Sequence, residues 1–331
     1  MTFNKITQKE HDEMVRRMSV PAPVLSAEER QAKIDESLAR LRAMATGKPV
    51  VKAVVAVAPM AVKLVQKDWA DADRGMPNYL IRSPLFGVGD RKSFSKITVI
   101  GKYGDVQISY SGEGLLQDDA DVWLLLVHIS MQQDDVKNIV EFSANSFLKR
   151  LGRVSCGGLD HERLKLDFNR LLGSVIEIGD LNAKRFYAGT LIQEIMRDEI
   201  TMHYTIKLNE KLVDLFASGY TLINNDQRIL LGKNGLAKWL HAFYCSHAKP
   251  YEYKVQTLHH MCGSDAPVRN FKVKLKAALT RLVNIKGIKS WSMFGDLVAV
   301  VVFPSDSQIK HLERKNNKKL GFREQWNVKH G

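Results

Sequence analysis

The residues best equipped for chemistry lie between Pro267 and Asn284, and the chemistry they suit is recognition rather than bond breaking. Val268, Phe271, Leu275, Ala278, Leu279 and Leu282 recur at the spacing of a helix with one apolar face. The opposite face carries Arg269, Asn270, Val273, Lys276, Ala277 and Thr280, with Lys272, Lys274 and Arg281 on its flanks. No acidic residue stands between Asp265 and Asp296, whereas all these cations, Lys286 and Lys289 do. A merely solvated helix face mixes Glu with Lys. Here long cations can reach phosphates, Arg and Asn can pair bidentately with guanine and adenine, and Val and Ala can meet thymine methyls. The expected base-reading set is therefore Arg269, Asn270, Val273, Lys276 and Ala277. The expected phosphate contacts nearby are Lys272, Lys274, Arg281, Lys286 and Lys289. A basic surface helix without a partner is the plainer alternative.

Such a face needs a scaffold to present it, and residues 232–303 read as one. They parse as helix, short strand, helix, tight turn, helix and strand hairpin, the order of a winged helix, a helix-turn-helix with a β-wing. Ser264 and Asp265 suit an N-cap and Pro267 the first turn. The same order is expected upstream. Strands are predicted at 96–100 and 105–110, a buried helix at 118–131, and a strand at 139–142. Helices at 144–151 and 160–172 follow, then a hairpin over 175–178 and 184–197 with a further strand at 201–207. The outward face of the 160–172 helix holds Glu162, Arg163, Leu166, Asn169 and Arg170. It is less basic, so Arg163 and Arg170 are expected to touch phosphates, and Leu166 a second subunit or another part of the chain. The fold class expected is α+β, two tandem winged-helix domains with N- and C-terminal extensions. The divisions are 1–75 (extension), 76–207 (first domain, backbone contact and dimerisation), 208–305 (second domain, sequence-specific) and 306–331 (basic tail). A helix is expected at 208–218 and an extended crossing segment at 220–231.

Composition agrees with a soluble globular chain. Of 331 residues, 45% are hydrophobic and 26% charged, and the net charge of +13 points to a polyanionic partner. No apolar run is long enough to span a bilayer and no signal-peptide core is expected. Residues 26–44 read as an amphipathic helix opened by a Ser26/Glu29 capping box, and 48–66 as a Val/Ala-rich segment broken by Pro59. The tail's Lys310, Arg314, Lys315, Lys318, Lys319 and Arg323 with Phe322 and Trp326 suit phosphates or single-stranded bases, or simply solvent. Cys156, Cys245 and Cys262 are scattered, fit no disulfide framework and, with His247, His259 and His260, match no zinc spacing, so neither metal nor cofactor is expected. Gly232-Lys233 lacks the rest of a Walker loop, and no HExxH or nicking motif occurs. The chain reads as a binding protein, not an enzyme.

Several blocks resemble the TrfA family of plasmid replication initiators: Met76-Pro77-Asn78, Arg82-Ser83, Leu85-Phe86, Val106 to Gly112, Ser246-His247, Pro250-Tyr251 and Met261-Cys262-Gly263-Ser264-Asp265. The likeness spans about residues 69 to 300, and the last block is its most specific part. It implies two winged helices that bind direct repeats (iterons) in double-stranded plasmid origin DNA and open adjacent AT-rich DNA, with single-stranded DNA then within reach. It also implies a homodimer in equilibrium with an active monomer, recruitment of the host initiator, replicative helicase and sliding clamp, and a place in the bacterial cytoplasm. Met60-Ala61-Val62-Lys63-Leu64 stands where that family carries its clamp-binding peptide, and it lacks the Gln-Leu and Leu-Phe pattern. A transcriptional regulator built on the same fold is the alternative reading, a single-strand-binding module a weaker one.

Overall fold

In the computed structural model, which describes residues 69–133, 138–153, 156–182, 184–211, 215–216 and 219–316, helices and strands are mixed throughout. The helix read at 26–44, the segment 48–66, the 60–64 stretch and the greater part of the basic tail lie outside the described residues. The described chain enters through β1 (Asp73–Pro77), a one-turn helix α1 (Asn78–Ile81) and β2 (Phe86–Gly87). A long hairpin of β3 (Ser93–Tyr103) and β4 (Val106–Glu113) follows, turning at Gly104 with φ +57°. After β5 (Leu115–Leu116) comes α2 (Gln117–Met131). Asp119 accepts the Leu116 amide at 2.7 Å, satisfying one donor left open at the helix start, and Asp118 and Asp119 complement the dipole there. The run Val122–Val127 is apolar on every side, and none of its residues is more than 4% exposed. A helix of that kind is a pillar inside a core, not a lid over one.

The first half continues with β6 (Ile139–Ser143), α3 (Ala144–Arg150), α4 (Gly158–Gly173), β7 (Val175–Asp180), β8 (Arg185–Gly189), β9 (Ile192–Asp198), β10 (His203–Leu208) and β11 (Tyr220–Asn224). Strands β3, β4, β7 and β8 form one antiparallel sheet in that order, and β6, β10 and β9 another. The hairpin expected from 175–178 and 184–197 forms between β7 and β8, but the remainder of its second arm, β9, belongs to the other sheet. Leu191 and Ile192, both fully buried, mark the crossing. Leu208 ends β10 rather than opening a helix. The extended segment expected at 220–231 is extended as far as Asn224, as β11, paired antiparallel with β1 from Asp73↔Asn224 to Pro77↔Tyr220; from there the chain is helical instead, as α5 (Asn225–Leu230).

The second half holds α6 (Gly235–Cys245), β12 (Tyr253–Lys254), α7 (Val255–Met261), α8 (Val268–Asn284), β13 (Ser290–Phe294), β14 (Leu297–Val301) and α9 (residues 306–316). Its sheet order β12-β14-β13 repeats the β6-β10-β9 order of the first half, with two helices between the first and second strands in chain order each time. Each half has its own apolar cluster. The first runs from Trp69 through Leu208 and Phe216 to Ile223, past the division read at 208; the second runs from Leu231 to Val300. Among the described residues, Ala242 of α6 alone packs into the first cluster from the far side. Among the described residues no helix is long and apolar enough to cross a membrane.

Candidate nucleic-acid interface

Helix α8 forms because its apolar positions fall on one arc. Phe271, Leu275, Ala278, Leu279 and Leu282 are all buried, each large side chain worth about 1.5–3 kcal/mol of burial. Its N-cap is Pro267, with no side-chain cap, and not Ser264 or Asp265 as the local sequence suggests. Asp265 is drawn away by distant partners, accepting the Asp90 amide at 3.0 Å and pairing with Lys92. That pairing holds its carboxyl below the usual range. At the far end Lys286 takes the left-handed conformation at φ +59°, and the Gly287 amide returns to the Leu282 carbonyl at 2.8 Å, closing the helix.

The outward arc matches the sequence reading closely. Arg269, Asn270, Val273, Lys276, Ala277 and Thr280 are all exposed, Val273 to 68%. Lys274, Lys286 and Lys289 are exposed too, and with Arg269 and Lys276 they have no acidic partner among the described residues. Two of the expected phosphate cations are already engaged. Lys272 Nζ donates to the Gly295 carbonyl at 2.9 Å and to Asp296 at 2.6 Å, tying the tip of the β13–β14 hairpin to the helix. Arg281 donates to the Leu230 carbonyl at 2.8 Å, at the C-terminal end of α5, while remaining exposed. The hairpin tip presents a residue the sequence reading missed: Phe294 is 88% exposed beside Gly295 at φ +59°. The signal was present, an aromatic residue followed by Gly-Asp between two alternating strands.

Helix α4 presents Glu162, Arg163, Leu166 and Asn169, with Leu166 54% and Leu159 76% exposed. Arg163 is exposed and stands 3.7 Å from Asp160. Arg170 does not belong to this face. Its side chain turns inward, donating to Asp119 at 2.8 Å and pairing with Asp167. Asp119 has no exposed surface and is also held by Arg91 at 2.8 Å, so Arg170 serves to neutralise a buried carboxylate and offers no phosphate contact. Burial, and then the charge of Asp119, push the Asp167 carboxyl up to about 7.

The Met261–Asp265 block lies at the junction of the two halves. The Cys262 carbonyl accepts the Val88 amide at 3.0 Å. Arg82 donates to Ser246 Oγ at 3.0 Å and to the Ser246 carbonyl. Deeper in the junction Arg228, 2% exposed, pairs with Asp121 of α2 and donates to Gln117 Oε1 at 2.9 Å, and Lys238 reaches Asp121 at 2.5 Å. Burial alone would raise the Asp121 carboxyl, but these two cations hold it below the usual range.

These features define a mixed helix-and-strand protein that turns the cationic face of α8 to solvent, its Arg269 and Lys276 without an acidic partner among the described residues. Comparison with known proteins places it more closely. Residues 30–299 match the family model described as TrfA protein, and the chain belongs to that family. Among curated relatives, it is 25% identical over 207 residues to the plasmid replication initiator protein TrfA of Escherichia coli, covering 60% of this chain and 53% of the relative, so the match spans about half the relative's length. Among solved structures it overlaps domains 2 and 3 of RctB (13% identity, 68% of this chain and 98% of that one, TM-score 0.49). It also overlaps the Pi initiator protein crystallised with iteron DNA (13% identity, 55% of this chain and 90% of that one, TM-score 0.41).

Proposed function

We propose that this chain initiates plasmid replication, binding direct repeats in double-stranded origin DNA through two tandem winged helices and promoting opening of adjacent AT-rich DNA. The observation that carries this reading is the α8 face, exposed and cationic without acidic partners among the described residues, in a member of the TrfA family. The repeated sheet order around paired helices supports the tandem arrangement, with α7 and α8 as one helix-turn-helix, α3 and α4 as the other, and β13–β14 and β9–β10 as wings. In this reading Arg269, Asn270, Val273, Lys276 and Ala277 face the bases. Lys274, Lys286, Lys289 and Arg281 hold phosphates, Lys272 positions the wing, and Arg163 gives the first half a backbone contact. Leu166 meets a second copy of the chain in a monomer–dimer balance. The protein acts by binding, without cofactor or catalysis, in the bacterial cytoplasm, alongside the host initiator, helicase and clamp.

A nuclease footprint on the origin region of the parent plasmid, paired with a maintenance assay in which the chain is supplied in trans, tests this. Regularly repeated protection beside an AT-rich stretch, with maintenance dependent on the chain, is the expected result. A single protected palindrome over a promoter, with no effect on maintenance, would instead favour a transcriptional regulator.

A further inference from the structure

The two halves are joined by more than the chain that links them. Residues 82–92, from the first half, run along the second half and touch it at three places. Arg82 is bound to Ser246 at the end of α6, and the Ser83 carbonyl accepts the Trp239 indole N–H at 3.4 Å. Val88 donates to the Cys262 carbonyl. Asp90 and Lys92 meet the Asp265 carboxylate. At the last place the backbone of Gly89 comes too close to the turn to carry a side chain. A Cβ on Gly89 would lie 2.5 Å from the Gly263 carbonyl and inside the Asp265 carboxylate. Gly263 itself sits at φ +66° with its would-be Cβ 3.1 Å from Pro84. The turn gripped in this way, residues 262–265, leads directly into α8, so the first half sets where the base-facing helix begins.

We infer that the 82–92 segment and the 262–265 turn form a latch that fixes the distance and rotation between the two DNA-contacting halves, so that the protein selects repeats by internal spacing as well as by sequence. This rests on the DNA-binding reading above. Each added base pair moves one contact site by about a tenth of a helical turn relative to the other. A pair of modules on a loose tether absorbs such a shift, whereas a rigid pair loses the benefit of simultaneous engagement. Which part of the latch matters is a question of magnitude. The Lys92–Asp265 pair is largely solvent-exposed, and exposed pairs contribute little. Discrimination therefore resides mainly in the close backbone fit at Gly89 and in the carboxylate oxygen that accepts the Asp90 amide.

The test uses the full chain and a duplex recovered by binding selection from a randomised library, then remade with base pairs inserted between the segments protected by each half. Wild type is expected to lose about a hundredfold in affinity on a two-base-pair insertion, the scale of lost avidity. Gly89→Ala and Asp265→Ala should reduce that penalty to a few-fold, chiefly by weakening binding at the selected spacing. Asp265→Asn keeps an acceptor for the Asp90 amide and should retain most of the penalty. Should Gly89→Ala fail to fold by thermal melting, the two Asp265 variants still decide the matter. Equal wild-type binding at every spacing overturns the inference, as does a wild-type penalty preserved in Asp265→Ala and, where it folds, Gly89→Ala. If wild type selects no duplex at all, the DNA-binding reading falls and takes this inference with it.

Discussion

At the scale of single residues, exposure separates the two kinds of contact that α8 can make. Arg269 is free to donate two N–H groups to one base, and a bidentate contact discriminates by about 1–3 kcal/mol. Arg269→Ala should therefore weaken binding to the selected sequence by that amount and flatten preference among single-base variants, read by competition gel shifts. An equal loss on random DNA would reassign it to phosphate. Lys286 permits a sharper separation, because its backbone and its charge ask for different residues. A non-glycine residue at φ +59° is strained, and glycine is the favoured residue just past a helix end. Lys286→Gly is expected to leave stability unchanged or raise it by about 0.5–1 kcal/mol in denaturant unfolding. It should also weaken all DNA binding and lower the salt slope by about 1. A variant that is less stable would show that the lysine stem, or the freedom glycine adds to the unfolded chain, outweighs the backbone strain.

At the scale of elements, the sequence was most legible where a pattern is local and dense. The apolar arc of α8 and the unbroken apolar run of α2 both specify their elements within a few turns, and the structure buries the α2 run and all of the α8 arc except Val268, which is exposed in the first turn. Illegible features depend on partners far along the chain. Asp265 looks like an N-cap until Lys92 and the Asp90 amide claim it. Arg170 looks like part of an outward face until the buried Asp119, 51 positions earlier, draws it inward. Strand β11 reads as extended, but its pairing with β1, far back along the chain, has no signal near residue 220. Helix α4 carries an element-scale prediction. Leu159 and Leu166 stand out on a face whose remaining members are polar, while Leu164, Phe168 and Leu171 hold the helix down. Because Leu166 is 54% exposed, Leu166→Asp should leave the thermal melt almost unmoved and shift sedimentation toward monomer. An unchanged sedimentation profile across concentration would remove Leu166 from any self-contact.

For the whole molecule, burial of ionisable groups sets how the fold responds to acid. His128 has no exposed surface, lies against Trp69 with ring centroids 6.4 Å apart, and its ring nitrogens have no hydrogen-bond partner among the described residues. Burial, then the charges of Arg74 and Arg150, push it down to about 4; burial, then Arg228, push His241 to about 3, and burial lowers His247 as well. Each is neutral in both states well above pH 6.5. Below that, the unfolded chain takes up protons that the folded chain refuses, so stability falls as pH drops from about 6.5 toward 4, at up to about 1.4 kcal/mol per pH unit for each group. Asp167 acts in the opposite sense. With its carboxyl raised to about 7, the folded state takes up a proton before the unfolded chain does, so its contribution is largest below the ordinary carboxylate value and is lost as pH rises through 7. Over pH 6.5 to 4.5 the histidines outnumber it, and net loss of stability on acidification is expected. His128→Phe fills the same space and forfeits no hydrogen bond seen here, so it should match or exceed wild type at pH 7 and shallow the acid limb of a melting-temperature profile. Asp167→Asn should steepen that limb. If both variants ran parallel to wild type from pH 7 to 4.5, acid sensitivity would have to arise elsewhere than at these buried groups.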